Sequence, residues 1–520
     1  MIPSGAVFFI LITAVLLAAA LAWVLAALYQ RRMLALMSGG TAPEPTASVI
    51  EPPLLQVERA GTWGAGVDFT ANRRATIRLM LSLGSISLLI ALTQSWLALL
   101  FVYDDIEISL NRLLVLGAIY AWPMVLAWGL ARRWPWLRIL GGIALYMLAM
   151  LVLVMFRSTE AQTLSSVSGW LFSQVAIPMT ITLLIGASGR IRAVAPYLLP
   201  PTLLLTFSSV LTLQVLTQSV NNPAPWVIRL VETLGAYPTL MLFAFAPWLV
   251  MAWPVFKLGK WLAGAYRAKF FSDLSYLIGI YWFLILFASA LPGMESVGWV
   301  AFVQVLAWLW LPVLLYGLRG PLTPPPGPPT LLVLRVFQRD ANVQDLFDHV
   351  IERWRLTGNT VLIAGTDLLT RTLDADDLFV YLNGALAERF IASPAQVAER
   401  IEGFDWLADP DGRYRINECY CFDSTWQTAL RALVVRADVV LMDLRGFRAE
   451  NRGCRHELGV LAGAAHLRRV LVLHDRETAR DVAESDIDPA AGGRFQWLPA
   501  DRLDGAMAAR VLAALFDKAR

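Results

Sequence analysis

GPLTPPPGPP, residues 320–329, divides the chain into two stretches of opposite character. Proline runs favour the extended polyproline II conformation, so this segment reads as a stiff spacer. Before it, residues 1–329 carry 19 Lys/Arg against 11 Asp/Glu; after it, residues 330–520 carry 24 against 29. The whole chain is 57% hydrophobic and only 16% charged, whereas soluble proteins carry about 25% charged residues. Such a deficit points to a bilayer as solvent. The sequence therefore predicts a membrane domain over 1–319, a Pro-rich linker over 320–329 and a separate α/β domain over 330–520.

A helix that crosses a bilayer needs about 20 mostly apolar residues. Nine stretches qualify, near 6–30, 79–103, 112–131, 138–156, 169–187, 196–217, 236–256, 276–292 and 297–318. The first lacks a basic n-region, and its apolar run is too long for a signal peptide, so it reads as a retained span. Basic residues follow every second span: Arg31 and Arg32, Arg132 and Arg133, Arg190 and Arg192, Lys257 to Lys269, and Arg319. The intervening loops hold little: Arg112, Arg157 and Arg229, alongside Asp104, Asp105 and Glu107. Positive charge stays inside, which predicts the N-terminus out and the C-terminal domain cytoplasmic. The style of composition is that of a multi-pass protein of a bacterial inner membrane, with the lipid bilayer as its partner. Segments 226–235 and 261–275 mix charge with apolar faces and are expected to lie in the interface. Span interiors offer little beyond Gln94, Gln174 and Gln304, which favours an anchor or sensor over a transporter with a regulatory tail.

The last third alternates apolar runs with helical patterns. Strands are predicted at 331–337, 360–365, 413–422, 439–444 and 469–475. Helices are predicted at 342–356, 375–391, 424–437, 452–466 and 502–518. This alternation implies a parallel sheet with helices on both faces. Its most informative stretch is ADVVLMDLRGFRAENRGCRHELGVLAGA, residues 437–464. A strand ends at Asp443, a polar loop follows, and a helix begins near Arg452 with Asn451 as its N-cap. Cys454, Leu458, Leu461 and Ala465 form the apolar stripe, and Glu457 flanks it. A carboxylate there is partly desolvated yet near a ligand lying over the sheet edge. It would serve as a nucleophile or stabilise a developing oxocarbenium ion. The bland alternative is a boundary glutamate paired with Arg452 or Arg455.

Gly453-Cys454-x-x-Glu457-Leu458 resembles the W-C-x-x-E-L stretch of TIR domains, with glycine in place of the tryptophan. The same residues are similar to nucleoside 2-deoxyribosyltransferases, whose A-D-strand-then-E-L-G pattern matches Ala437-Asp438 and Glu457-Leu458-Gly459. Both resemblances imply a flavodoxin-like fold and N-glycosidic chemistry at Glu457, making the chain a candidate NAD glycohydrolase or nucleoside-processing N-glycosidase. Arg339 and Asp340 occupy the place of the box that follows the first strand in TIR domains. Asp443 and Arg445, at the end of the fourth strand, would bind a ribose or phosphate or pair with each other. Arg452, between Asn451 and Gly453, stands at a helix start that would favour a phosphate or is part of a solvated basic face. Segment 392–422 fits neither family. The stretch M-D-L-R-G-F…N-R-G-C…E-L further resembles a group of bacterial membrane proteins, for which no activity is implied.

The competing expectation is a non-catalytic module that senses an NAD-like nucleotide or assembles proteins, with self-association through the membrane or the TIR-like domain. The mildly acidic tail argues against nucleic-acid partners. Cys419 and Cys421, spaced C-x-C, lack the further ligands a metal site needs, so no metal is expected. No G-x-x-x-x-G-K-[ST] or G-x-G-x-x-G occurs, and no cofactor is expected.

Overall fold

The computed structural model describes residues 3–39, 63–103, 108–157, 162–186, 189–221, 224–336, 340–365, 375–422 and 424–517. Among these residues, nine helices are long and apolar enough to cross a membrane: Ser4–Met37, Phe69–Phe101, Leu110–Ala131, Trp136–Arg157, Leu164–Gly186, Ile191–Ser219, Ala236–Arg267, Asp273–Ala290 and Met294–Gly317. Each covers most or all of one of the predicted stretches. Their outer faces carry bare apolar side chains; Leu137, Phe156 and Leu249 are each more than four-fifths exposed. Water penalises such a surface and lipid does not.

The first helix, Ser4–Gly39, buries Ala14, Ala18, Ala22 and Ala26 in one line. Small side chains at every fourth position bring its backbone close to helix Gly189–Asn221. Across that seam Thr202 Oγ1 donates to the Ala14 carbonyl at 3.0 Å. Segment 226–235 forms its own short helix, Pro225–Leu234, set off by Gly235 at φ +88°. Segment 261–275 does not stand apart. Residues up to Arg267 prolong the preceding helix, and the chain turns at Lys269 (φ +56°) before Ser272 caps the next helix.

Beyond the proline run lie seven strands: β1 Thr330–Arg335, β2 Asn359–Ile363, β3 Phe390–Ile391, β4 Ile416–Cys421, β5 Val439–Asp443, β6 Arg469–His474 and β7 Phe495–Pro499. They form one parallel sheet in the order β3-β4-β2-β1-β5-β6-β7. Every residue of β1, β2 and β5 is buried, as continuous apolar runs require of strands covered on both faces. The predicted helix 375–391 is cut short at Leu382. Gly384, at φ +74°, turns the chain, and the short β3 follows. The predicted helix 452–466 ends at Gly463. The order of strands reverses between β1 and β5, and open α/β sheets bind ligands beyond the carboxyl ends at such a point.

The amino ends of the strands bear on the helical bundle. Just before β2, Asn72 Nδ2 donates to the Arg353 carbonyl at 2.6 Å and to Thr357 Oγ1 at 2.9 Å. Just before β4, Arg413 meets Asp273 at 2.6 Å, Asp411 at 2.9 Å and Glu352 at 3.2 Å. Glu352 also holds Arg133 at 2.7 Å, and Ser272 Oγ donates to Asp411 at 2.6 Å. Just before β6, the Arg468 guanidinium lies 4.8 Å from the Trp63 ring centroid. Burial alone would push the Glu352 carboxyl up, but Arg133, Arg355 and Arg413 bring it down to about 2. Loops that the sequence marks as basic supply much of this contact: Arg267 pairs with Asp376 at 2.7 Å and Lys269 with Asp405 at 2.6 Å.

The proline run lies against the protein at both ends. Residues Arg319–Leu322 make one helical turn. A Cβ on Gly412 (φ +81°) would come within 2.2 Å of the Leu322 carbonyl, so only glycine fits there. At the other end, the Gly64 N–H donates to the Gly327 carbonyl at 2.9 Å. Where the sequence suggests a spacer, the structure has a strap packed between bundle and sheet.

Candidate functional site

β1 and β5 run in register so that Arg335 lies opposite Asp443 at their carboxyl ends. Arg335 is the one charged residue in an otherwise apolar strand and is only 2% exposed. Its guanidinium extends toward β2, with Nη1 3.4 Å from the Ile363 carbonyl. After Asp443 the chain folds back on itself. Arg445 grips the Asp443 carboxylate through Nε at 2.8 Å and Nη2 at 2.6 Å. The same Nη2 donates to the Asn342 carbonyl at 2.9 Å, tying this loop to the helix that follows β1. Gly446, at φ +73°, sends its N–H to Asp475 at 3.0 Å, beyond the end of β6.

Helix Arg452–Gly463 then leans its inner face on the sheet through Cys454, Leu458 and Leu461, and Glu457 goes in with them. Glu457 is 4% exposed, and its Oε2 has no hydrogen-bond partner among the described residues. Burial pushes the Glu457 carboxyl up to about 8, although Arg335 pulls the other way. A buried acceptor without a partner costs about 1–3 kcal/mol, and in a native protein it calls for a reason. Cys454 sits beside it with Sγ 3.8 Å from the Arg335 carbonyl. Burial and the adjacent glutamate push this thiol well up, so it is a packing group rather than a nucleophile.

Of the residues chosen from sequence, Asp443 and Arg445 pair with each other at the strand ends, while Glu457 lies on the helix behind them under the influence of Arg335. Their pairing is the alternative to binding a ribose or phosphate, although Arg445 Nη1 is buried without a hydrogen-bond partner among the described residues. Asn451 precedes the helix but does not cap it. Its Oδ1 accepts from the Arg448 N–H at 2.8 Å instead, because the loop turns back there. Arg452 and Gly453 are exposed on the outer side of the helix start. Arg339 lies outside the described residues, as does the side chain of Asp340, whose backbone opens helix Asp340–Leu346. Arg455 pairs with Asp486 at 2.7 and 2.8 Å. His456 stands edge-on to Trp426 with ring centroids 5.4 Å apart. Arg335 is the residue that sequence reading passed over. Its signal was a lone cation inside LLVLRVF.

Among the described residues no group of three or more His, Cys, Asp or Glu is placed to hold a metal ion. Cys419 is fully buried in β4, and burial pushes its thiol well up. No family model matches this chain, and no curated protein and no solved structure matches it either.

Proposed function

We propose that this chain is a multi-pass protein of a bacterial inner membrane, and that its cytoplasmic α/β domain cleaves an N-glycosidic bond of NAD or a related nucleotide with Glu457. One observation carries the reading: a buried carboxyl with an oxygen unpartnered among the described residues, next to a buried arginine, at the reversal point of a parallel sheet. The topology is in keeping with the resemblance. Without β3 and β4 the order is 2-1-3-4-5, that of flavodoxin-like sheets; with β4 it is 3-2-1-4-5-6, that of dinucleotide-binding sheets. In the reaction, the Glu457 carboxylate attacks the anomeric carbon and the C–N bond breaks. The base leaves with the bond's electron pair, and water then hydrolyses the glycosyl ester. The cytoplasmic placement rests on the basic loops, which gather at the end of the bundle that carries the sheet.

Purified full-length protein in detergent should release nicotinamide from NAD, and Glu457→Gln should lower the rate by at least about a hundredfold. No release by the wild type, or release that survives the substitution, overturns the assignment. A second reading, a module that binds the nucleotide without turning it over, is favoured by the near-complete burial of Glu457, which leaves its carboxyl little access to an anomeric carbon. It predicts ligand-dependent self-association with no free base formed.

A further inference from the structure

An apolar groove of about 860 Å³ runs along the bundle between helices Gly189–Asn221, Ala236–Arg267, Asp273–Ala290 and the segment Gly298–Gly317. Its volume lies in the range of ligand pockets, about 300–1,000 Å³. One end is formed by Val7 and Trp299, far from the sheet. The other end is formed by Tyr316, Arg319 and Pro410, and Pro410 belongs to the α/β domain. Arg319 is the single charged residue on the groove wall, and no acidic side chain faces it among the described residues. Its Nη2 donates to the Lys269 carbonyl at 3.3 Å, and its guanidinium carbon lies 5.2 Å from the Tyr316 ring centroid. Its Nε is buried and has no hydrogen-bond partner among the described residues.

We infer that this groove is a binding site for an anionic membrane lipid, with acyl chains along the apolar wall and the headgroup phosphate at Arg319. The charge pattern selects this occupant. A zwitterionic lipid fills the apolar length equally well, but it brings a second cation to an end already held by Arg319. The headgroup would sit against Pro410, under the domain proposed to carry the chemistry. Lipid occupancy and docking of that domain therefore share one surface.

The test uses the full chain in detergent and native mass spectrometry. Phosphatidylglycerol and phosphatidylcholine with identical acyl chains are titrated in separate samples. The wild type is expected to retain phosphatidylglycerol at about fivefold lower concentration, the share one arginine contributes near a membrane surface. Arg319→Gln should bring phosphatidylglycerol down to the phosphatidylcholine level and leave the latter unchanged. Leu204→Trp, which fills the groove wall, should weaken retention of both. Equal retention of the two lipids by the wild type overturns the inference. So does a preference that survives Arg319→Gln, or displacement of the lipid by inorganic phosphate alone.

Discussion

Glu457 has two consequences that a pH series can separate. Its folded-state value, about 8, lies above the ordinary 4.5. The stability it lends is therefore whole below pH 4.5 and fades as pH climbs through about 8. Glu457→Gln keeps the shape and removes the charge. Relative to wild type it should be neutral at pH 5 and stabilising above pH 8, by a few kcal/mol at most, read from thermal melts in detergent. If the two proteins melt together at both ends, the carboxyl is not desolvated. Activity should run the other way, rising toward a limb near pH 8 as the carboxylate forms. The place of Glu457 beside the apolar stripe was legible from helical spacing. The size of its shift was not, because it depends on how deeply the packed sheet buries it and on Arg335, a residue of β1. A lone arginine in an apolar run marks an unusual site, but sequence does not say which group it faces.

At the scale of elements, length and hydropathy were enough. A span has to satisfy its own backbone, so a long apolar run leaves little choice but helix. The central strands were legible for the same reason, being buried on both faces. Legibility failed where a single backbone angle decides. Gly384 ended a helix whose apolar pattern continued past it. β7, at the sheet edge, is buried only at Phe495 and Leu498, and FQWLP carries no clear period. The alanine seam of the first helix gives a prediction at this scale. Ala22 is fully buried there, and Ala22→Leu should overpack the seam and cost about 1–3 kcal/mol. A melting temperature equal to wild type in the same detergent would show that the two helices are not in close contact.

At the scale of the whole molecule, the reading of composition separated two regions but could not show that they dock. Ion pairs between distant residues leave no local pattern, and the basic loops were legible only as markers of sidedness. Arg413 is nearly fully buried and touches three carboxylates. Removing one partner of buried charges costs about 3–5 kcal/mol. Arg413→Ala should therefore speed proteolysis at residues 323–329 and deuterium uptake in the segments before β2 and β4. Unchanged protection would mean the pairs do not hold the dock. Acid should loosen the same contact. Glu352 has a folded value of about 2 against an ordinary 4.5, so its contribution is whole above pH 4.5 and is lost as pH falls through about 2.

The first helix has 36 residues, a rod of about 54 Å against a hydrocarbon layer of about 30 Å. Its C-terminal part reaches the α/β domain, where the Tyr29 ring meets Tyr381 edge-on at 5.9 Å and Met33 is wholly enclosed. In the proposed membrane placement, a rod held in the bilayer at one end and in the α/β domain at the other would act as a lever. When the bilayer thins, a span leans to keep its apolar length covered, and the lean is felt at the tip as a sideways push on the edge of the sheet. On that placement, membrane thickness would become a mechanical input to the α/β domain.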